Sequence, residues 1–244
     1  MRIGVISDIH GNCVALDAVL ADVANHPVDR WVCLGDALQG GTQPAEVADR
    51  LRDLLCPVVL GNADAFVLDG TSGEKSISDR MRTVRDWTVE ALGAERVDFI
   101  RTFVPTVELD IGDAGRLLSF HGSPDSYDGV LLPETPTADL KRTLEGRDAS
   151  LMCGGHTHLQ WSASIDGWTF FNPGSVGLGY NRHLPEAGFF FNPVAEFAIV
   201  AVDGPTARIE FCRVPFDVDA LDRAARASGH PYGEREARRF RPPQ

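Results

Sequence analysis

Five short segments of the 244-residue chain each set a metal-ligating side chain directly behind an apolar run. Asp8 and His10 follow RIGVIS, Asp36 follows WVCLG, and Asn62 follows PVVLG. His121 follows LLSF, and His156 and His158 follow SLMCGG. Taken singly, these residues have ordinary readings. Asp8 or Asp36 suits a cap or turn, Asn62 a turn, and the histidines exposed loops. Four of the chain's seven histidines fall in these segments, however, and that argues against coincidence. Carboxylate, imidazole and amide donors without thiolate suit manganese first, then iron, zinc or nickel. Seven donors exceed one tetrahedral site. They suit two divalent ions about 3.5–4 Å apart that share a bridging carboxylate.

Convergence of the donors depends on the elements that carry them. Arg2–Ser7, Trp31–Leu34 and Pro57–Leu60 read as strands, with helices over the stretch that includes Val14, Ala18 and Val19 and over the stretch opened by Pro44. Strands alternating with helices predict a parallel sheet, whose strand carboxyl ends gather ligand sites. Residues 78–103 read as a helix. Beyond them the pattern becomes strand-rich: Thr106–Ile111 and Arg116–Phe120 flank GDAG, and Trp161–Ile165 and Trp168–Phe171 flank Asp166-Gly167 as hairpins. Ala138–Leu144 suggests a helix and Ser150–Cys153 a buried strand, with further strands at Phe189–Phe191, Phe197–Val202 and Ala207–Val214. The expected fold is one α/β domain over residues 1–227, built from two packed strand layers with helices outside. From Ser228 the tail is polar, Arg-rich and expected to be loose.

In this order the segments DxH, GD, GN, HG and GHxH resemble the motifs of the calcineurin-like metallophosphoesterases. The small bacterial branch of predicted phosphoesterases is the nearer likeness, through SDIHGN (7–12), GDALQGG (35–41), GNAD (61–64), HGSPDS (121–126), GGHTH (154–158) and NPGSVG (172–177). The likeness runs from residue 2 to about 203. It implies a four-layer αββα sandwich of two mixed β-sheets flanked by helices. It also implies a ligand assignment: Asp8, His10, Asp36 and His158 for one metal, and Asp36, Asn62, His121 and His156 for the other, with Asp36 bridging. The implied activity is hydrolysis of a phosphodiester or a small phosphorylated metabolite by a metal-bridging hydroxide. Asn12, with the amides near Gly11, is a candidate to hold a phosphate oxygen at a helix N-terminus; the other reading is a plain N-cap.

One departure stands out. Many relatives read GNHD, with the histidine as leaving-group acid, whereas here Ala63 takes its place. A positioned acid contributes about 10²–10⁴ in rate, so the sequence predicts either good leaving groups or another acid. His183 is the first candidate and Tyr127 the second, with Arg182 a candidate phosphate ligand. The NPGSVG run lacks nucleophile-elbow spacing and reads as a structural loop beside the site. A nucleotide-polyphosphate or protein phosphatase is an alternative, as is a non-catalytic interaction module, because a fold does not fix a function.

Composition narrows the partners. There are 35 acidic and 23 basic residues, a net charge of −12, which disfavours long nucleic acid and anionic membrane. Two divalent ions set against Asp8 and Asp36 would leave the site at about +2, so a small phosphoester is not excluded. Five cysteines without CxxC spacing, three of them inside apolar runs, read as reduced core residues. With no apolar run of membrane length, they point to the cytoplasm.

Overall fold

Strand β1 (Arg2–Ile6) is buried from Ile3 onward, as a continuous apolar run requires of a central strand. The computed structural model describes residues 1–24, 27–71, 77–180 and 190–241. After β1 come α1 (Cys13–Asp22), β2 (Arg30–Cys33), α2 (Pro44–Asp53), α3 (Asn62–Asp69) and α4 (Asp79–Ile100). The strand-rich half holds β3 (Val107–Asp110), β4 (Arg116–Ser119), α5 (Thr137–Leu144), β5 (Leu151–Cys153), β6 (Gln160–Ile165) and β7 (Trp168–Pro173). Last come β8 (Val194–Asp203), β9 (Thr206–Pro215), α6 (Val218–Ala227) and α7 (Gly233–Arg238).

These strands form two mixed sheets, ordered β2-β1-β8-β9 and β3-β4-β5-β7-β6. In the first, β1 pairs parallel with β2 (Val5 opposite Val32) and antiparallel with β8 (Val5 opposite Ala198). In the second, β5 runs parallel to both β4 and β7, and β3 and β6 close the edges antiparallel. Period-two alternation sorts the side chains. Ile3, Val5, Val32 and Ala198 of one sheet meet Leu117, Leu151 and Phe171 of the other. On the far face of the first sheet, Ile6, Cys33 and Phe197 pack with Leu16, Leu51 and Leu92 of the helices. The far face of the second sheet is covered by Leu140 and Leu144 of α5. The result is the expected four-layer αββα sandwich.

Four details differ from the sequence expectation. Residues 57–60 make two single parallel bridges, Cys33 to Val58 and Val59 to Val104, instead of a strand. Pro57 has no N–H to donate, and helix α3 begins at Asn62, so the run is too short to build a ladder. Within α4, Gly93 adopts φ 67°, ψ 171° and kinks the helix. Of the run 189–191, Phe189 lies outside the described residues and Phe191 makes a single bridge to Tyr180. The fourth difference is the tail after Ser228, which was expected to be loose. His230, Glu236 and Phe240 are buried, and Phe240 joins the helix-side core with Phe191, Phe216 and Leu221. A few apolar anchors fix an otherwise polar segment, which average composition does not reveal.

Among the described residues no helix is long and apolar enough to cross a membrane.

Candidate metal centre

All five donor segments leave the carboxyl ends of elements that run parallel within their own sheet. β1, β2 and the 57–60 segment bring Asp8, His10, Asp36 and Asn62 to one end of the first sheet. β4 and β5 bring His121, His156 and His158 to the second. The loops are then tied across. Asp8 and His10 donate their N–H groups to the carbonyls of Gly35 and Asp36, at 3.0 and 2.9 Å. Gly155 N–H donates to His121 O at 2.8 Å, which crosses from one loop to the next. The NPGSVG loop clamps the first segment: Val176 and Gly177 N–H donate to Ser7 O and Asp8 O at 3.0 Å each, and Ser175 Oγ donates to Asp8 O at 2.8 Å.

Close approach explains two of the glycines. A β-carbon at Gly61 would lie 2.2 Å from Asp36 Oδ1, and one at Gly155 would lie 2.0 Å from Ser7 Oγ. The backbone of the donors themselves is also unusual. Seven non-glycine residues among those described have positive φ, and five of them are candidate donors: Asp8, His10, Asp36, His156 and His158. Each left-handed residue costs about 1–3 kcal/mol. Such strain gathers where the surrounding hydrogen bonds dictate the conformation.

The seven candidate donors sort into two groups. Ligating atoms of Asp8, His10 and His158 lie within 4.8 Å of one another, and so do those of Asp36, His121 and His156. Asn62 Oδ1 stands 3.1 Å from His121 Nε2 and so joins the second group. Asp36 faces both groups, with Oδ1 3.4 Å from His121 Nε2 and Oδ2 3.7 Å from His10 Nε2. A 2.7 Å hydrogen bond from Ala63 N–H fixes its Oδ1.

The donor chemistry fits cations. Nδ1 of His10, His121 and His158 contacts the carbonyls of Gln39, Leu34 and Leu178 at 2.8, 2.7 and 2.9 Å. A carbonyl only accepts, so each Nδ1 carries a proton and each Nε2 turns inward. Neutral His10 and His158 would set two lone pairs 3.2 Å apart. Beside them, Asp8 Oδ1 is buried without a hydrogen-bond partner. A positive charge, proton or cation, belongs between these atoms.

Protonation follows the same field. Burial is the largest single influence on Asp36 and pushes its carboxyl up. His121 and His10 outweigh it and hold Asp36 well below the usual carboxylate range. Burial likewise pushes His121 down, but Asp36 and Asp8 raise it to about 10. His158 is raised against burial by Asp8, whereas burial lowers His10 and His156.

Of the remaining sequence candidates, the two that are described, Asn12 and Tyr127, are not among these groups. Asn12 is the N-cap of α1: its Oδ1 accepts from Ala15 N–H at 3.0 Å and its Nδ2 donates to Gly177 O at 3.2 Å. Tyr127 is exposed in a recess with Leu60, Pro105 and Ser123. His183 and Arg182 lie outside the described residues. Two residues have a structural place that the sequence does not assign: Asp64 reads there only as the acid after Ala63 left without a histidine to orient, and Tyr180 has no reading. Asp64, fully buried, accepts from the N–H groups of Ala37 and Leu38 at 3.1–3.2 Å and so braces the loop behind Asp36. Tyr180 stacks on His158 with ring centroids 5.2 Å apart. For Asp64 the signal was its place two residues after Asn62; for Tyr180 there was none beyond proximity to NPGSVG.

Comparison with known proteins gives concordant matches. A family profile described as a calcineurin-like phosphoesterase superfamily domain matches residues 1–190. An uncharacterized protein of Methanocaldococcus jannaschii is 27% identical over 225 residues, covering 88% of each chain. The structure of a metallophosphoesterase from Sphaerobacter thermophilus aligns with a TM-score of 0.74 and 26% identity over 98% of both chains. A hypothetical protein from Pyrococcus horikoshii shares the fold, with a TM-score of 0.79 and 21% identity over 98% of this chain and 97% of that one.

Proposed function

Because the chain belongs to the calcineurin-like phosphoesterase superfamily, we propose that it is a dinuclear metal-dependent hydrolase of a phosphodiester or small phosphorylated metabolite. The observation that carries this reading is Asp36, whose two oxygens face two separate donor groups. One ion would be held by Asp8, His10, His158 and Asp36, the other by Asp36, Asn62, His121 and His156. Manganese suits the thiolate-free donor set first, with iron, zinc or nickel next. When bound, such ions supply Lewis acidity toward phosphoryl oxygens and make water a nucleophile near neutral pH.

The residues of the chain do the positioning. The carbonyls of Gln39, Leu34 and Leu178 hold three imidazoles in one tautomer, with Nε2 inward. Ser7 Oγ and His156 N–H donate to Asp8 Oδ2 at 2.6 and 3.0 Å, which leaves Oδ1 for the centre. Ala63 offers its N–H to Asp36 but has no side chain able to protonate a departing alkoxide. The enzyme therefore favours good leaving groups or draws its acid from elsewhere, and His183 is the residue we assign first. Five free, buried cysteines accord with a reducing compartment such as the cytoplasm.

The test is metal analysis with hydrolysis of bis(p-nitrophenyl) phosphate and a panel of mono-, di- and pyrophosphate esters under Mn²⁺, Fe²⁺, Zn²⁺ and Ni²⁺. Turnover with two ions per chain is expected. A metal-loaded protein inert toward every ester would leave an interaction module as the reading. Comparing aryl with alkyl diesters in His183→Ala tests the acid: loss confined to the alkyl ester supports it, and equal losses reject it.

A further inference from the structure

The loop that leaves β7 meets the Asp8 group at three points. Ser175 Oγ and Gly177 N–H donate to the carbonyl of Asp8, and Leu178 O contacts Nδ1 of His158 at 2.9 Å. Two residues farther on, the ring of Tyr180 stacks on the imidazole of His158, with centroids 5.2 Å apart and planes 21° from parallel. These contacts restrain different motions of the imidazole. The bond from Nδ1–H lies along the ring plane, so it fixes the tautomer and one edge. It does little to oppose tilting of the plane. A second ring packed on the face opposes that tilt. Nε2 of His158 is thereby kept 3.2 Å from Asp8 Oδ1 and 3.2 Å from His10 Nε2.

The C-terminal segment holds the other end of this stack. Tyr180 makes a single antiparallel bridge to Phe191, and their rings stack with centroids 5.9 Å apart at 27°. Phe191 N–H donates to Arg239 O at 2.7 Å, and the Arg239 guanidinium lies over the Phe191 ring at 4.2 Å. The Phe240 ring packs 5.7 Å from the same ring. Arg239 is ion-paired with Glu236, and Glu236 with Arg80 of α4. Phe191 and Phe240 are 3% and 6% exposed, so the anchor is core, whereas Tyr180 is 39% exposed. The family profile ends at residue 190, and Phe191, Arg239 and Phe240 all lie beyond it.

We propose that Tyr180 is a positioning residue for the metal centre: its ring holds the plane of His158, and the C-terminal segment acts on the centre through the column His158–Tyr180–Phe191. The inference rests on the dinuclear reading above and adds to it a residue and a segment that carry no metal donor. A contact between rings is worth a factor of about two to ten in an equilibrium constant. Here that factor belongs to the affinity for the ion that His158 holds.

The test is isothermal titration of the full, chelator-treated chain with Mn²⁺ and with Co²⁺. The ion held by His158 is the one whose binding His158→Ala removes. Tyr180→Leu should weaken that ion by about threefold to tenfold and leave the other within about twofold. Tyr180→Phe keeps the ring and should restore most of the affinity. The visible absorption of bound Co²⁺ should change in Tyr180→Leu and match the unmodified chain in Tyr180→Phe. Arg239→Gln leaves Tyr180 in place but takes the guanidinium off Phe191, and should weaken the same ion by about twofold. No loss in Tyr180→Leu, or equal losses at both ions, overturns the positioning role. So does a Tyr180→Phe variant as weak as Tyr180→Leu, because the hydroxyl and not the ring would then matter. An unchanged Arg239→Gln overturns the link to the C-terminal segment. A selective loss in a chain that hydrolyses no ester would uphold the positioning role and defeat the phosphoesterase reading.

Discussion

The two donor groups differ in how firmly the chain holds them. Around Asp8, both imidazoles bond carbonyls through Nδ1, and Asp8 Oδ2 is held by Ser7 Oγ and His156 N–H. Around Asp36, only His121 has such a carbonyl, whereas the ring of His156 makes no hydrogen bond among the described residues and is less buried than that of His158. The first group is thus preorganised, and the second is completed by the shared Asp36 and the neutral amide of Asn62. Hydrogen bonds that hold a ligating side chain from behind are worth about 10–100-fold in metal affinity. A tight ion at the Asp8 group and a weaker one at the Asn62 group is the expected pattern.

Asp36→Ala is the largest perturbation, because among the described residues it removes the only carboxylate shown facing both groups. Activity should fall by at least about 10³-fold, with ion content dropping at both positions. Full activity in this variant would refute the bridging role. Next come His158→Ala and His156→Ala, which separate the groups. Each should cost about 10²–10³-fold in kcat. Metal content after desalting should differ: His156→Ala keeps one ion, and His158→Ala loses the tightly held one. If the retention is reversed, the ranking of the two groups is wrong.

Protons sharpen the same contrast. His121 titrates near 10 in the metal-free native chain and near 6.5 when unfolded. The native chain therefore binds more protons across that interval. The stabilisation is fully present below pH 6.5 and disappears as pH rises through about 10. Thermal denaturation of chelated protein at pH 6 and pH 9 should show the lower Tm at pH 9. Because a cation must displace this proton, ion uptake by the Asp36 group should release it and tighten as pH rises. A pH-independent Tm would mean that the Asp36–His121 pair contributes no net stability.

The candidate donors were legible in the sequence because a ligating side chain directly behind an apolar run is a local pattern, and each of the seven candidates stood in one. The left-handed φ of Asp8, His10, Asp36, His156 and His158 was not legible. It follows from hydrogen bonds between segments far apart in the chain, such as Gly155 to His121 and Val176 to Ser7. Helix α3 carried a local signal that went unread: Asn62 doubles as a donor and a first-turn residue, and Gly70, at φ 71°, ends the helix in the left-handed conformation. The packed C-terminal segment depends on Phe240 reaching Phe191 and Phe216, with ring centroids 5.7 and 5.5 Å away. Only the tertiary fold supplies those partners.

The smallest expected effect concerns Asp64, which braces the loop behind the less firmly held group. Burial, with Asp36 adding repulsion, pushes its carboxyl up to about 7 from an ordinary 3.8. In the metal-free protein the native state thus keeps a proton that the unfolded chain has lost above 3.8. Native protein binds more protons between these values, so this residue lowers stability as pH rises from about 4 to 7. Asp64→Asn removes the titration yet keeps an oxygen to accept from Ala37 and Leu38 N–H. Its Tm should depend less on pH in that window, with activity changed by no more than a few fold. Asp64→Ala leaves two buried N–H groups unpaired and should cost about 1–3 kcal/mol near pH 4, less as pH rises toward 7 because it also removes the titrating carboxyl. If Asn and Ala behave alike, the brace acts through something other than those two hydrogen bonds, and the weaker hold on the Asp36 group must be traced to His156 alone.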